Sequence, residues 1–122
     1  MLQQVIFVEK TKFVYKLVSQ LFMDISVNCY VVDSGFDQFS YHIDDLQPQA
    51  LIINLDNTDF ELCIQSINAS KYDKYLKICI SAKDKEQLSE EVRNFFDSFY
   101  KLPISPYDFV IEIQKLCGDL SE

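Results

Sequence analysis

Apolar residues along the chain alternate between short unbroken runs and stretches where they recur every three or four positions. Gln4 to Val8 is a compact, β-branched run, and Val27 to Val32, Ala50 to Leu55, Leu76 to Ser81 and Ser98 to Leu102 are four more. Runs of this length bounded by polar clusters predict strands. Between the first two, Phe13, Val14, Leu17, Val18, Leu21, Phe22 and Ile25 fall on one face of a helix, with Thr11 placed as its N-cap. A weaker amphipathic segment runs from Phe36 to Leu46 and stops before Pro48. Phe60, Cys63, Ile64 and Ile67 mark a third helix, and Leu88, Val92, Phe95 and Phe96 a fourth. The fourth carries Lys83, Lys85, Glu86, Glu90 and Glu91 on its other face. Phe109, Val110, Ile113, Leu116 and Leu120 close the chain as a fifth helix.

Five β-α units over residues 1–122, with no repeat or linker between them, predict a single α/β domain. Right-handed crossovers then give a five-stranded parallel sheet with helices on both faces, and 2-1-3-4-5 is the commonest strand order for five such units. Ala50 to Leu55 is the most continuously apolar run, as a central strand covered on both faces requires. Ligands of such sheets bind beyond the carboxyl ends of the strands. Function therefore turns on Glu9-Lys10, Asn54 to Asp56, Ser81-Ala82 and Leu102-Pro103.

Charge narrows the classes of partner. The chain has 11 basic and 19 acidic residues, a net charge of −8 and a mean hydropathy near −0.02. A phosphate backbone or an anionic membrane surface repels such a protein, so neither nucleic acid nor membrane is expected as a partner. The longest apolar runs fall far short of a bilayer span of about 20 residues. A cytoplasmic location is expected.

Cys29, Cys63, Cys79 and Cys117 lie 34, 16 and 38 residues apart, each in an apolar stretch, and are expected as free, buried thiols. His42 is the single histidine and has no cysteine at zinc-ligand spacing. No metal and no cofactor is expected. A cysteine phosphocarrier needs its thiol at a strand-to-helix loop, whereas Cys29 and Cys79 fall inside strands. Gly35 and Gly118 are the only glycines, too few for a phosphate cradle, and no nucleophile motif accompanies His42. Enzymatic activity is not expected.

Over its full length the chain resembles a response-regulator receiver domain, of flavodoxin-like, chemotaxis type. The resemblance rests on Val5 to Lys10, where the family carries an acidic pair after its first strand. It rests also on Pro48 to Asn54, whose last residue aligns with the phospho-accepting Asp. Ile78-Cys79-Ile80-Ser81-Ala82 resembles the fourth-strand motif with its hydroxyl and small residue. Phe99 to Pro106 resembles the fifth-strand run that ends in Lys-Pro.

The departures from that pattern are chemical. Asn54 replaces the phospho-accepting Asp, and an amide forms no acyl phosphate. Lys10 stands where the family has a second metal-binding acid, leaving Glu9 alone for a hard cation. Leu102 stands where the family has the phosphoryl-pairing Lys, and strand alternation turns Lys101 to the other face. Of the constellation Glu9, Lys10, Asn54, Ser81, Leu102 and Pro103, only Glu9 and Ser81 keep their chemistry. Two readings stand for Lys10: a solvated surface lysine, or an ammonium that reaches Glu9, Asn54 or Asp56 and replaces the metal. Asp56 is an alternative acceptor, against an ordinary role in the turn before the third helix, where Asp-Asn-Thr-Asp is also N-cap chemistry. Phe99 takes the place of the family's switch aromatic and is expected to pack in the core instead.

The resemblance thus implies a stand-alone pseudo-receiver that binds protein partners independently of phosphorylation, in signalling or regulation. In the family the face of the fourth helix, fifth strand and fifth helix forms dimers or output contacts, and here Arg93, Tyr100 and Tyr107 are its candidates. A homodimer through that face is one outcome. The alternative function is an atypical receiver that still responds to a phosphoryl group or small anion through Asp56 and Ser81. A different small α/β module, such as an anti-sigma-antagonist type, is a further alternative.

Overall fold

The structure is a computed structural model that describes residues 3–121, with side chains described through Gly118. Five strands form one parallel sheet: β1 (Gln4–Val8), β2 (Asn28–Val32), β3 (Ala50–Asn54), β4 (Leu76–Ser81) and β5 (Ser98–Lys101). Their spatial order is β2-β1-β3-β4-β5. Five helices connect them: α1 (Lys12–Asp24), α2 (Phe39–Leu46), α3 (Phe60–Ala69), α4 (Glu90–Phe95) and α5 (Pro106–Ser121). The expected fold class and strand order are those observed. Leu120 of the fifth-helix stripe lies outside the residues whose side chains are described.

Alternation along the strands sorts the core into two layers. Val5, Phe7, Ala50, Ile52, Ile78 and Ile80 face Val18 and Phe22 of α1 and Phe109, Val110 and Ile113 of α5. Ile6, Val8, Leu51, Ile53 and Cys79 face Phe39, Ile43, Cys63, Ile67 and Phe96 on the opposite side. All five residues of β3 are buried, as its unbroken apolar run required. Each large aliphatic side chain sealed in this way contributes roughly 1.5–3 kcal/mol.

Boundaries differ from the sequence reading where polar groups decide them. β3 stops at Asn54 because the Asn54 side chain accepts from the Asp56 N–H and starts a 3-10 turn over Leu55–Asn57. The fourth helix is short, because a second 3-10 turn, Lys85–Gln87, uses the preceding residues and α4 begins only after the Ser89 cap. Thr11 occupies the N-cap position of α1, but its side chain makes no capping bond there. Neither glycine supplies a left-handed turn. Ser26 (φ 62°), Gln38 (φ 68°) and Gln47 (φ 46°) take those conformations instead, although a Cβ makes them costly by roughly 1–2 kcal/mol.

Candidate functional site

Among the described residues, the buried polar or charged side chains are Glu9, Asn54 and Ser81. Each stands at the carboxyl end of a strand: Glu9 just past β1, Asn54 closing β3 and Ser81 closing β4. Register explains the grouping. β1 pairs with β3 through Val8 and Ile53, and β3 with β4 through Asn54 and Ile80, so these strand ends converge at one edge of the fold.

Glu9 is 1% exposed, and a carboxylate so placed needs donors. Asn54 Nδ2 donates to its Oε2 at 2.5 Å, while Asn57 Nδ2 and the Thr11 backbone N–H both donate to Oε1. Both amides must turn their NH2 toward Glu9, since a carboxylate there can only accept. The sequence reading gave Asn57 only a place in the turn before the third helix. Its signal was a second carboxamide three residues after Asn54, in the turn that brings it back over β1.

The second cluster lies beside the first. Asp56 accepts the Ser81 hydroxyl on Oδ1 at 2.6 Å and the Ala82 backbone N–H on Oδ2 at 2.7 Å. Ser81 Oγ in turn accepts from the Lys83 N–H at 3.1 Å. Asp56 is exposed, yet both its oxygens are engaged. Asp59, next along the turn, caps α3 by accepting from the Leu62 N–H.

Leu102 and Lys101 divide as strand alternation requires. Leu102 lines a cavity of about 90 Å³ together with Glu9, Asn54, Phe7, Ile80 and Phe109. Lys101 turns outward and pairs with Asp84 at 2.7 Å, where both side chains are more than half exposed. Pro103 follows a cis peptide and is exposed. Of the two readings of Lys10, the structure shows the solvated lysine and not the replacement of a metal. It is exposed, forms no ion pair within 4 Å among the described residues, and lines a groove with Ser34, Asp37 and Asp59. The amides of Asn54 and Asn57 have claimed the Glu9 oxygens that its ammonium would have needed.

Phe99 is half-buried, 6.1 Å from the Phe96 ring, with Lys85 Nζ 4.8 Å from its own centroid. Of the candidate interaction residues, Tyr107 is 63% exposed. Tyr100 instead packs edge-on against Phe109 at 5.4 Å, and Arg93 Nη1 donates to the Leu88 carbonyl at 3.0 Å. Those two are half-buried, each with a partner inside the fold. His42 stacks 4.6 Å from Tyr30, a packing role.

Cys29, Cys63 and Cys79 are free thiols. Burial pushes the Cys29, Cys63 and Cys79 thiols up to about 12 and Cys117 to about 11, which makes poor nucleophiles at neutral pH.

No family model matches the sequence, and no curated protein matches it. Solved structures do. A CheY-like response-regulator receiver domain from Methylobacillus flagellatus superposes with a TM-score of 0.74 at 21% identity, covering 95% of this chain and 99% of that one. The chain has the receiver-domain fold. A CheY-like receiver from Methanospirillum hungatei JF-1 gives a TM-score of 0.75 at 13% identity, over 98% and 96% of the two chains. The receiver domain of the sensor histidine kinase PA1611 from Pseudomonas aeruginosa PAO1, which holds a magnesium ion in its cleft, gives 0.71 at 14%, over 97% and 99%.

Receivers of that kind imply a hard divalent cation at the strand ends, and the residues here do not fit one. Such ions need several oxygen ligands. Glu9 is the one carboxylate at the β1 end, both its oxygens accept from N–H groups, and Asn54 presents its NH2 rather than its oxygen. Among the described residues no group of three or more His, Cys, Asp or Glu side chains is suited to a metal. No described helix is long and apolar enough to cross a membrane.

Proposed function

We propose that this protein is a pseudo-receiver: a non-catalytic, phosphorylation-independent protein–protein interaction module in signalling or regulation. One observation carries the reading. The groups that would meet a phosphoryl anion at the end of β4, the Ser81 hydroxyl and the Ala82 N–H, are both bonded to the carboxylate of Asp56. The chain supplies its own anion at this point. The Asn54 amide at the acceptor position and the aliphatic Leu102 beside it support the same conclusion, because neither accepts nor pairs with a phosphoryl group.

The alternative in which Asp56 itself accepts phosphate is less well supported. An acyl phosphate on Asp56 would displace the donor that now holds the modified oxygen, Ser81 at Oδ1 or Ala82 at Oδ2. With the chemistry removed, what remains is surface. Tyr107 is a suitable anchor on the α5 side, for a protein partner or a second copy of the chain.

The test is an amide NMR titration with magnesium and beryllofluoride, a mimic of the phosphoryl group. The expected spectrum is unchanged. Saturable shifts running from Asn54 and Asp56 to Ser81 and Phe99 would overturn the reading.

A further inference from the structure

A second pocket opens on the other side of Ser81. It lies between the β4–α4 connection and β5, and has a volume of about 220 Å³. Its floor includes Phe99, and Lys83, Lys85 and Lys101 line it. Three cations around one small cavity are unexpected in a chain of net charge −8. Asp84 is the carboxylate among the lining residues, and it is paired with Lys101. Lys83 and Lys85 have no ion pair within 4 Å among the described residues. The Lys85 ammonium lies over the Phe99 ring, a contact that a single cation makes without losing its demand for an anion.

We propose that this pocket binds a small organic anion, a phosphate monoester or carboxylate carrying one flat apolar group. The anionic head draws the Lys85 ammonium off the Phe99 ring, with Lys83 and Lys101 beside it, and the apolar part takes that ammonium's place on the ring. Size sets the class. The cavity lies below the ~300 Å³ at which pockets for larger ligands begin. Ser81 forms part of the wall only, since its proton is committed to Asp56. The site is therefore distinct from the strand-end cleft of Asn54 and Leu102.

Phenyl phosphate is the probe, followed by amide NMR on the full chain. Saturable shifts at Lys83 to Lys85 and Phe99 to Lys101 are expected at concentrations of ~1 mM or below. Inorganic phosphate should bind more weakly, phenol should not bind saturably, and added salt should weaken phenyl phosphate. The double variant Lys85→Ala/Lys101→Ala should lose about tenfold in affinity, and Lys71→Ala none. No saturable shift up to ~10 mM, equal binding of phenol, or an unchanged affinity in the double variant would each overturn the proposal. Silence toward beryllofluoride is a separate result, so the two readings fail independently.

Discussion

The Ser81 hydroxyl donates to Asp56 Oδ1 across 2.6 Å, although 25 residues separate the two in sequence. The contact joins the end of β4 to the turn after β3, and its energy is measurable. Ser81→Ala should lower stability by about 1 kcal/mol, as a charge-assisted bond at a half-open site does. Asp56→Ala should cost more, because it also frees the Ala82 N–H. In a double-mutant cycle by urea unfolding, a coupling of about 1 kcal/mol is expected; strict additivity would deny the contact.

Asn54→Asp restores the family's acid at the end of β3 but sets it against Glu9, where the amide now donates at 2.5 Å. Two carboxylates at that distance in a buried site cannot both stay charged cheaply. The variant should lose about 2–3 kcal/mol at neutral pH. The introduced acid has its pKa raised in the folded state, so the deficit is largest at neutral pH and shrinks as pH falls through the carboxylate range. Chemical denaturation at two pH values checks the sign.

Rebuilding the site should need one further change. The triple variant Lys10→Asp/Asn54→Asp/Leu102→Lys restores the family's acids and cation, yet Asp56 still engages Ser81 and Ala82. It should remain silent to beryllofluoride, and adding Asp56→Ala should produce a response. A response from the triple variant alone would show that Asp56 does not obstruct the anion.

The four thiols should resist modification and set an alkaline limit. With Cys29, Cys63 and Cys79 pushed to about 12 in the fold, against 9.0 ordinarily, a disulfide reagent at neutral pH should react far faster with urea-unfolded protein than with native protein. The unfolded chain releases these protons first, so their contribution to stability is complete below pH 9.0 and is lost as pH rises toward 12. Burial raises Tyr75 to about 12 and adds to the same decline. Melting temperature against pH should stay level at neutral pH with respect to these groups and fall above 9.

Left-handed turns occupied by side-chain-bearing residues offer a stabilising change. Gln47, at φ 46°, ends α2 with its N–H donating to the Ile43 carbonyl. Gln47→Gly keeps that bond and relieves the Cβ, so a gain of about 0.5–1 kcal/mol is expected from thermal unfolding.

Much of this architecture was legible because one period governed each segment. The five residues of β1 and the six of β4 appear in the sequence as they appear in the fold. The full burial of β3 followed from its unbroken apolar run. Boundaries were lost where a side chain competes with the backbone, as Asn54 does at the end of β3 and Ser89 at the start of α4. Leu102 at the cavity and Lys101 outside it followed from alternation once Pro103 was aligned with the receiver pattern.

The partners of Glu9 did not follow. Lys10 carried the obvious complementary charge, yet the carboxylate is buried and neutral amides reach it without burying a second charge. Asn57 was hidden because a carboxamide in a turn normally signals only the turn. The inward neighbour that the Tyr100 ring finds in Phe109 was likewise not legible, since β5 is an edge strand.

The carboxylate of Asp56 is joined to the chain by carbon–carbon bonds. A phosphoryl group on an aspartate is an anhydride that water removes, which gives an ordinary receiver both a clock and an off position. An anion that is part of a side chain has neither. Under the proposed reading, the strength of this protein's output follows how many molecules are made and how long they survive, so synthesis and degradation take over the role of the kinase and the phosphatase.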